Sequence, residues 1–207
     1  MKTLAILAQK GGSGKTTVAV HLVVCASRHA LHTALIDLDP QASAFKWNES
    51  RDEADKLDAI KATPAQLAGL LEQAKKAKAA LVVIDTAPHS DSAAAVAAQL
   101  ADFVLIPCRP ARFDLDAIAS TVEIARLAKT PAAVLLNAVP PRSSIADEAR
   151  ETLKRQHIPV LDVLTFQRAA YAHAVIDGRS VHEYEPKGKA AAEVDALFQR
   201  LRKELKV

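Results

Sequence analysis

The chain has 207 residues and carries 27 Lys and Arg against 24 Asp and Glu, a formal net charge of +3. It is 50% hydrophobic and 25% charged, which excludes wholesale disorder and suits one α/β domain with a sizeable core. The mildly basic balance permits an anionic partner without requiring one, and no apolar stretch reaches the roughly 18 residues of a membrane-spanning helix.

The first apolar run, "TLAILAQ" (Thr3–Gln9), leads into a glycine loop rather than a small-residue cleavage site, so it reads as a strand and not a leader. A helix is expected over Lys15–Ser27, followed by a strand over "TALIDLD" (Thr33–Asp39). The polar stretch Trp47–Thr63 reads as a solvated connection. Next come a helix over Pro64–Lys78, a strand over "ALVVIDT" (Ala80–Thr86) and a helix over Asp91–Leu100. The strand "FVLIPC" (Phe103–Cys108) precedes a helix over Leu115–Leu127, and "AAVLLNAV" (Ala132–Val139) precedes one over Ile145–Gln156. The last strand is "PVLDVLT" (Pro159–Thr165), and the last helices are Arg168–Ile176 and Lys189–Leu205. Most strands are continuous apolar runs, the mark of a parallel sheet buried on both faces. Their alternation with helices gives a doubly wound α/β fold, a mostly parallel sheet with helices on both faces. Cys25 and Cys108 lie in apolar surroundings without metal-ligand spacing and read as reduced core residues.

Strand, glycine loop and helix together make "QKGGSGKTT" (Gln9–Thr17) a phosphate-binding loop. Gly11, Gly12 and Gly14 let backbone N–H groups converge on phosphate oxygens around Ser13, and the helix behind them points its positive end at the same anions. Lys15 reaches the β- and γ-phosphates, Thr16 is the expected Mg2+ ligand, and Thr17 completes the motif. Asp85, closing "LVVIDTAP", is the acidic residue at a strand end that organises Mg2+ directly or through water. Asp37 and Asp39 in "LIDLDPQ" follow with period two, which puts them on one side of their strand, facing the ligand crevice. The pattern departs from G-x-x-x-x-G-K-[ST] in two ways: Gln9 stands at the first glycine, and a further lysine, Lys10, follows it.

"QKGGSGKTT" resembles the deviant Walker-A motif of the ParA/MinD ATPases, "LIDLDPQASAFKW" and "VVIDTAP" resemble their next two segments, and the C-terminal third is similar as well. The likeness covers nearly the whole chain and fits the short ParA branch, so residues 1–207 are expected to be a single P-loop ATPase domain with no DNA-binding domain before it. The resemblance implies ATP as the nucleotide, with Mg2+. It gives Lys10 a role across a homodimer interface, on the partner's nucleotide, so that two subunits sandwich two ATP molecules. It gives Asp39 the orientation of the attacking water, Asp37 a place near the magnesium shell, and Asn137 a contact with adenine. Pro107–Arg112, "PCRPAR", falls near the nucleotide and the dimer interface.

With the essential lysine supplied by another molecule, hydrolysis should be slow until a partner stimulates it. The resemblance then implies a timer: an ATP-bound dimer that binds DNA without sequence preference, and a centromere-binding or cargo-adaptor protein that triggers release. Plasmid or chromosome segregation is the expected role, with a ParA relative positioning a protein cargo, or a MinD-like membrane switch, as the alternatives. The protein would be cytoplasmic, and nucleoid-associated when ATP-bound. Candidate DNA contacts are the dispersed basic residues Arg142, Lys154, Arg155, Arg168, Arg179, Lys187, Lys189, Arg200, Arg202 and Lys203. In the tail, Val194, Leu197, Phe198, Leu201 and Leu205 share one helix face, which suits either docking on the sheet or insertion into a membrane. Docking is the expectation.

Overall fold

The computed structural model describes residues 1–207. Seven strands follow one another as β1 (Lys2–Ile6), β2 (Thr33–Asp37), β3 (Asp58–Lys61), β4 (Leu81–Asp85), β5 (Phe103–Cys108), β6 (Ala132–Val139) and β7 (Val160–Phe166). They form one sheet in the order β3-β2-β4-β1-β5-β6-β7, and every neighbouring pair is parallel. The main helices are α1 (Lys15–Arg28), α2 (Ser43–Glu49), α3 (Leu67–Lys76), α4 (Asp91–Leu100) and α5 (Arg112–Asp116). They continue as α6 (Ile118–Leu127), α7 (Ile145–Arg155), α8 (Ala169–Ile176), α9 (Val181–Tyr184) and α10 (Lys189–Leu205).

Period-two alternation divides the core between the two faces of the sheet. Leu4 and Ile6 of β1, Leu81 and Val83 of β4, and Phe103 and Leu105 of β5 pack with α1, α2 and α10. Their sequence neighbours Ala5, Val82, Ile84, Val104 and Ile106 pack with α3, α4, α6 and α7. The apolar stripe of α10 is consumed here: Val194, Leu197, Phe198, Leu201 and Leu205 are all buried in the first of these layers. Docking on the sheet is therefore the role this stripe performs. No helix of the chain is long and apolar enough to cross a membrane.

The expected strands and helices are present, α2 and α9 are additional, β1 ends at Ile6 rather than Gln9, and the main further differences are these. The Trp47–Thr63 stretch is not merely a connection, since it holds the end of α2 and the edge strand β3, paired with β2 from Ala34↔Asp58 to Asp37↔Lys61. The helix expected over Leu115–Leu127 breaks at Ala117 into α5 and α6. The turn before α3, Pro64–Gln66, is 3-10, closed by a reciprocal Thr63–Gln66 cap. Finally, β2 ends at Asp37 rather than Asp39. The two aspartates therefore do not form a period-two pair on one strand, and Asp39 stands in the loop that follows.

Candidate nucleotide-binding site

The carboxyl ends of β1, β2 and β4 meet where the strand order reverses, the place at which open α/β sheets bind ligands. The glycine loop leaves β1 here and enters α1. Gly14 has φ 93°, a left-handed backbone that favours glycine, and a Cβ there would also have to displace the Asn137 amide. No side chain caps the start of α1, which leaves its first N–H groups as donors toward the loop.

Lys15 is buried, and its Nζ donates to the Ala8 carbonyl at 3.0 Å. Burial lowers its pKa, while Asp85 and Asp39 pull it up, so the two carboxylates lie within electrostatic reach of the ammonium. Thr16 Oγ1 donates to Asp85 Oδ2 at 2.6 Å. Asp85 is fully buried and its other oxygen, Oδ1, has no partner. Burial is the largest cause pushing this carboxyl up to about 7; the Thr16 hydroxyl and Lys15 work against it, and Asp37 and Asp39 add to it. A wholly buried carboxylate with an orphaned oxygen, touching a threonine hydroxyl, is an oxygen donor set fitted to Mg2+.

Asp37 pairs in register with Asp85 across the β2–β4 ladder. Its Oδ1 accepts from the Asp39 N–H at 2.9 Å and its Oδ2 from the Phe45 N–H at 3.0 Å. Asp37 therefore anchors the loop between β2 and α2, with burial raising its pKa despite these bonds. Asp39 is half-buried, and its Oδ1 accepts from the Gln41 N–H at 2.9 Å, a local turn that holds the carboxylate at the mouth of the site.

Lys10 is 40% exposed and forms an ion pair with Asp114 of α5 at 2.9 Å. Its ammonium is thus held against α5 of its own subunit. Gln9 is tied to the other side of the loop, its Nε2 donating to Asp91 Oδ1 at 2.6 Å and its N–H to Thr121 Oγ1 at 3.2 Å.

Beside Gly14 and Thr17 opens a cleft of about 750 Å3 that runs along one face of α1, past Val18 and His21, to Arg109, Asn137 and Thr165. Its size and largely apolar lining suit a base and ribose next to the phosphate loop. Asn137 lines the cleft and also braces the loop: Nδ2 donates to the Ser13 carbonyl at 2.7 Å, and Oδ1 accepts from Thr165 Oγ1 at 2.5 Å. Arg109 falls within the "PCRPAR" segment that the family resemblance puts near the nucleotide and the dimer interface. Thr165 and His21 went unnoticed there. Spacing from the loop offered a signal for His21, which lies one turn beyond Thr17 on the same face of α1. Nothing local marks Thr165, whose role comes from the β6–β7 pairing.

These features define a P-loop nucleotide-binding protein. A family model described as "CobQ/CobB/MinD/ParA nucleotide binding domain" matches residues 4–181. The chain belongs to this family, as an ATPase of the ParA/MinD type. It is 37% identical to maintenance of carboxysome distribution protein A of Gloeobacter kilaueensis, over 99% of this chain and 94% of that one. It is 32% identical to the protein of the same name from Halothiobacillus neapolitanus, over 92% of this chain and 91% of that one. The fold matches the septum site-determining protein MinD of Pyrococcus horikoshii OT3, solved with Mg-ADP, at a TM-score of 0.79 and 16% identity, over 100% of this chain and 99% of that one.

Proposed function

We propose that the chain is an ATP-gated positioning switch: ATP and Mg2+ build a sandwich homodimer that binds DNA without sequence preference, and slow hydrolysis takes it apart. The observation that carries this reading is the phosphate loop that joins a buried Lys15 and a Thr16–Asp85 pair to a half-buried Lys10 paired with α5. Lys15 and the N–H groups of Gly11 to Thr17 hold the phosphates. Thr16 and Asp85 would hold Mg2+, and Asp37 fixes the loop that bears Asp39 and adds negative charge beside them. Asp39 orients the attacking water, and Asn137 and the cleft beside it take the adenine. Mg2+, when bound, neutralises charge building on the β- and γ-phosphates.

Lys10 leaves Asp114 and meets the γ-phosphate held by the second subunit. A cation supplied in trans stabilises the transferring phosphoryl group and makes assembly sense the γ-phosphate. Each subunit alone lacks that charge, so turnover stays slow until an adaptor protein reshapes the dimer.

Among cargoes, the two relatives above favour a protein assembly over the plasmid or chromosome expected from the sequence, because both are named for distributing carboxysomes. The cargo here is taken as a protein body carried through an adaptor on nucleoid DNA. Light scattering with ATP, ADP or no nucleotide tests the switch. The wild type should dimerise only with ATP and Mg2+, and Asp39→Ala should bind ATP and remain dimeric long after the wild type has dissociated. A wild type that stays monomeric with ATP, or an Asp39→Ala dimer that decays at the wild-type rate, would refute the switch or the role of Asp39 respectively.

A further inference from the structure

At the far end of α1 from the phosphate loop, three potential metal ligands from two helices converge. Cys25 lies on the last turns of α1 and His29 caps its end; Asp195 is on α10. Their ligating atoms, Cys25 Sγ, His29 Nε2 and an Asp195 oxygen, all lie within 4.8 Å of one another. Cys25 Sγ is 3.3 Å from Asp195 Oδ1, and His29 Nε2 is 3.8 Å from the same oxygen. In a tetrahedral site with metal–ligand bonds of about 2.0–2.3 Å, the ligands stand roughly 3.3–3.8 Å apart. We propose that Cys25, His29 and Asp195 form a Zn2+ site that ties the end of the phosphate-loop helix to α10.

The local structure holds each ligand in place. Cys25 and His29 are four residues apart, so they share one face of the helix. The His29 ring packs against Phe198 at 5.1 Å, and Phe198 is one turn beyond Asp195 on α10. His182 of α9 is buried, and its Nε2 lies 3.0 Å from Asp195 Oδ1. It acts as a positioning residue, holding the carboxylate in the way that metal-bound carboxylates are held. Cys25 is buried, while His29 and Asp195 reach solvent with side chains 39% and 48% exposed, which gives an ion a way in and leaves the fourth position to water. A thiolate and an imidazole select a borderline-soft ion such as Zn2+ over Mg2+. Burial holds the Cys25 thiol protonated on its own, with Asp195 reinforcing this. As the S–Zn bond forms, the thiol proton leaves to solvent. Ten residues of helix, about 15 Å of rise, separate Cys25 from Lys15, so this ion is distinct from the Mg2+ of the nucleotide.

Metal-stripped protein titrated with Zn2+ alone in saturating Mg2+, and with Co2+ as the spectroscopic probe, tests the site. The wild type should take one Zn2+ per chain. Its Co2+ form should show a thiolate charge-transfer band and tetrahedral visible bands, both kept in Cys108→Ser and lost in Cys25→Ser. His29→Ala, a change at an exposed residue, and Asp195→Asn should each weaken Zn2+ binding at least about tenfold. They decide the question even if Cys25→Ser does not fold. A Co2+ form without a thiolate band, or His29→Ala and Asp195→Asn proteins that bind Zn2+ as tightly as the wild type, would reduce the cluster to a buried thiol–carboxylate hydrogen bond.

Discussion

In the proposed switch, Lys10 is the residue that sets the state of the protein. Its ion pair with Asp114 is only partly buried, and such pairs contribute about 0.2–1 kcal/mol. That is strong enough to bias the lysine toward its own subunit and weak enough to be exchanged for a γ-phosphate. Asp114→Asn should therefore strengthen ATP-dependent dimerisation, by up to about fivefold in the dissociation constant. Lys10→Ala should keep nucleotide binding and lose the dimer. Sedimentation with ATP measures both, and a Lys10→Ala protein that dimerises normally would return Lys10 to the status of a loop lysine. His21, buried beside the cleft, sets a pH response. Its Nδ1 accepts from the Val181 N–H at 3.3 Å, and burial, with His182 nearby, pushes its pKa down to about 3 from 6.5. The unfolded chain binds this proton first, so stability is full above pH 6.5 and falls as pH drops toward 3. At pH 5 the loss is on the order of 2 kcal/mol. The stability lead of the wild type over His21→Leu, measured by urea unfolding, should shrink by that amount between pH 8 and pH 5. An unchanged lead would mean that the ring is charged or solvated in the folded protein.

Among elements, the region from α2 to β3 is held by a few polar contacts rather than by a run of apolar residues. The Asn48 side chain pairs with both the N–H and the carbonyl of Leu57, at 2.9 and 3.0 Å. Arg51, with its side chain 3% exposed, forms a two-pronged ion pair with Glu183 of α9 at 2.7 and 3.1 Å, and also donates to the Gly178 and Asp55 carbonyls. Arg51→Ala removes both bonds to Glu183, which keeps only the Ser180 N–H, and leaves the buried Gly178 carbonyl without its donor, so it should cost about 3 kcal/mol in urea unfolding. A cost under about 1 kcal/mol would mean that this clasp does not hold the edge of the sheet. These contacts also explain what could be read in the sequence. The five inner strands were legible because burial on both faces writes itself as apolar runs, whereas the edge strand β3 is mostly exposed and polar and gains its identity only from pairing with β2. Lys15, Thr16 and Asp85 were legible as a motif and do converge. The engagement of Asp37 with the loop backbone, the pairing of Lys10 with Asp114, and the place of Cys25 beside His29 and Asp195 depend on how distant segments cross, which no local pattern records.

At the scale of the whole molecule, the proposed function needs a surface that one subunit only half supplies. Of the basic residues expected to face DNA, Arg168, Arg179 and Arg200 are in ion pairs with Glu193, Asp177, and Asp162 and Glu204. That leaves Arg142, Lys154, Arg155, Lys187, Lys189, Arg202 and Lys203 outside ion pairs and better suited to phosphate. These charges are divided between α7 on one face of the sheet and α10 on the other, so they bind weakly alone and would gain from doubling in the proposed dimer. The most direct measurement is binding to unrelated DNA duplexes with ATP and Mg2+, with ADP, and without nucleotide, across a salt series and beside anionic liposomes. The expected result is binding to every duplex with ATP only, weakening with salt at a log–log slope near −4 if about four phosphates are neutralised. Binding indifferent to nucleotide, or liposome binding with no DNA binding, would contradict an ATP-gated switch that rides on DNA.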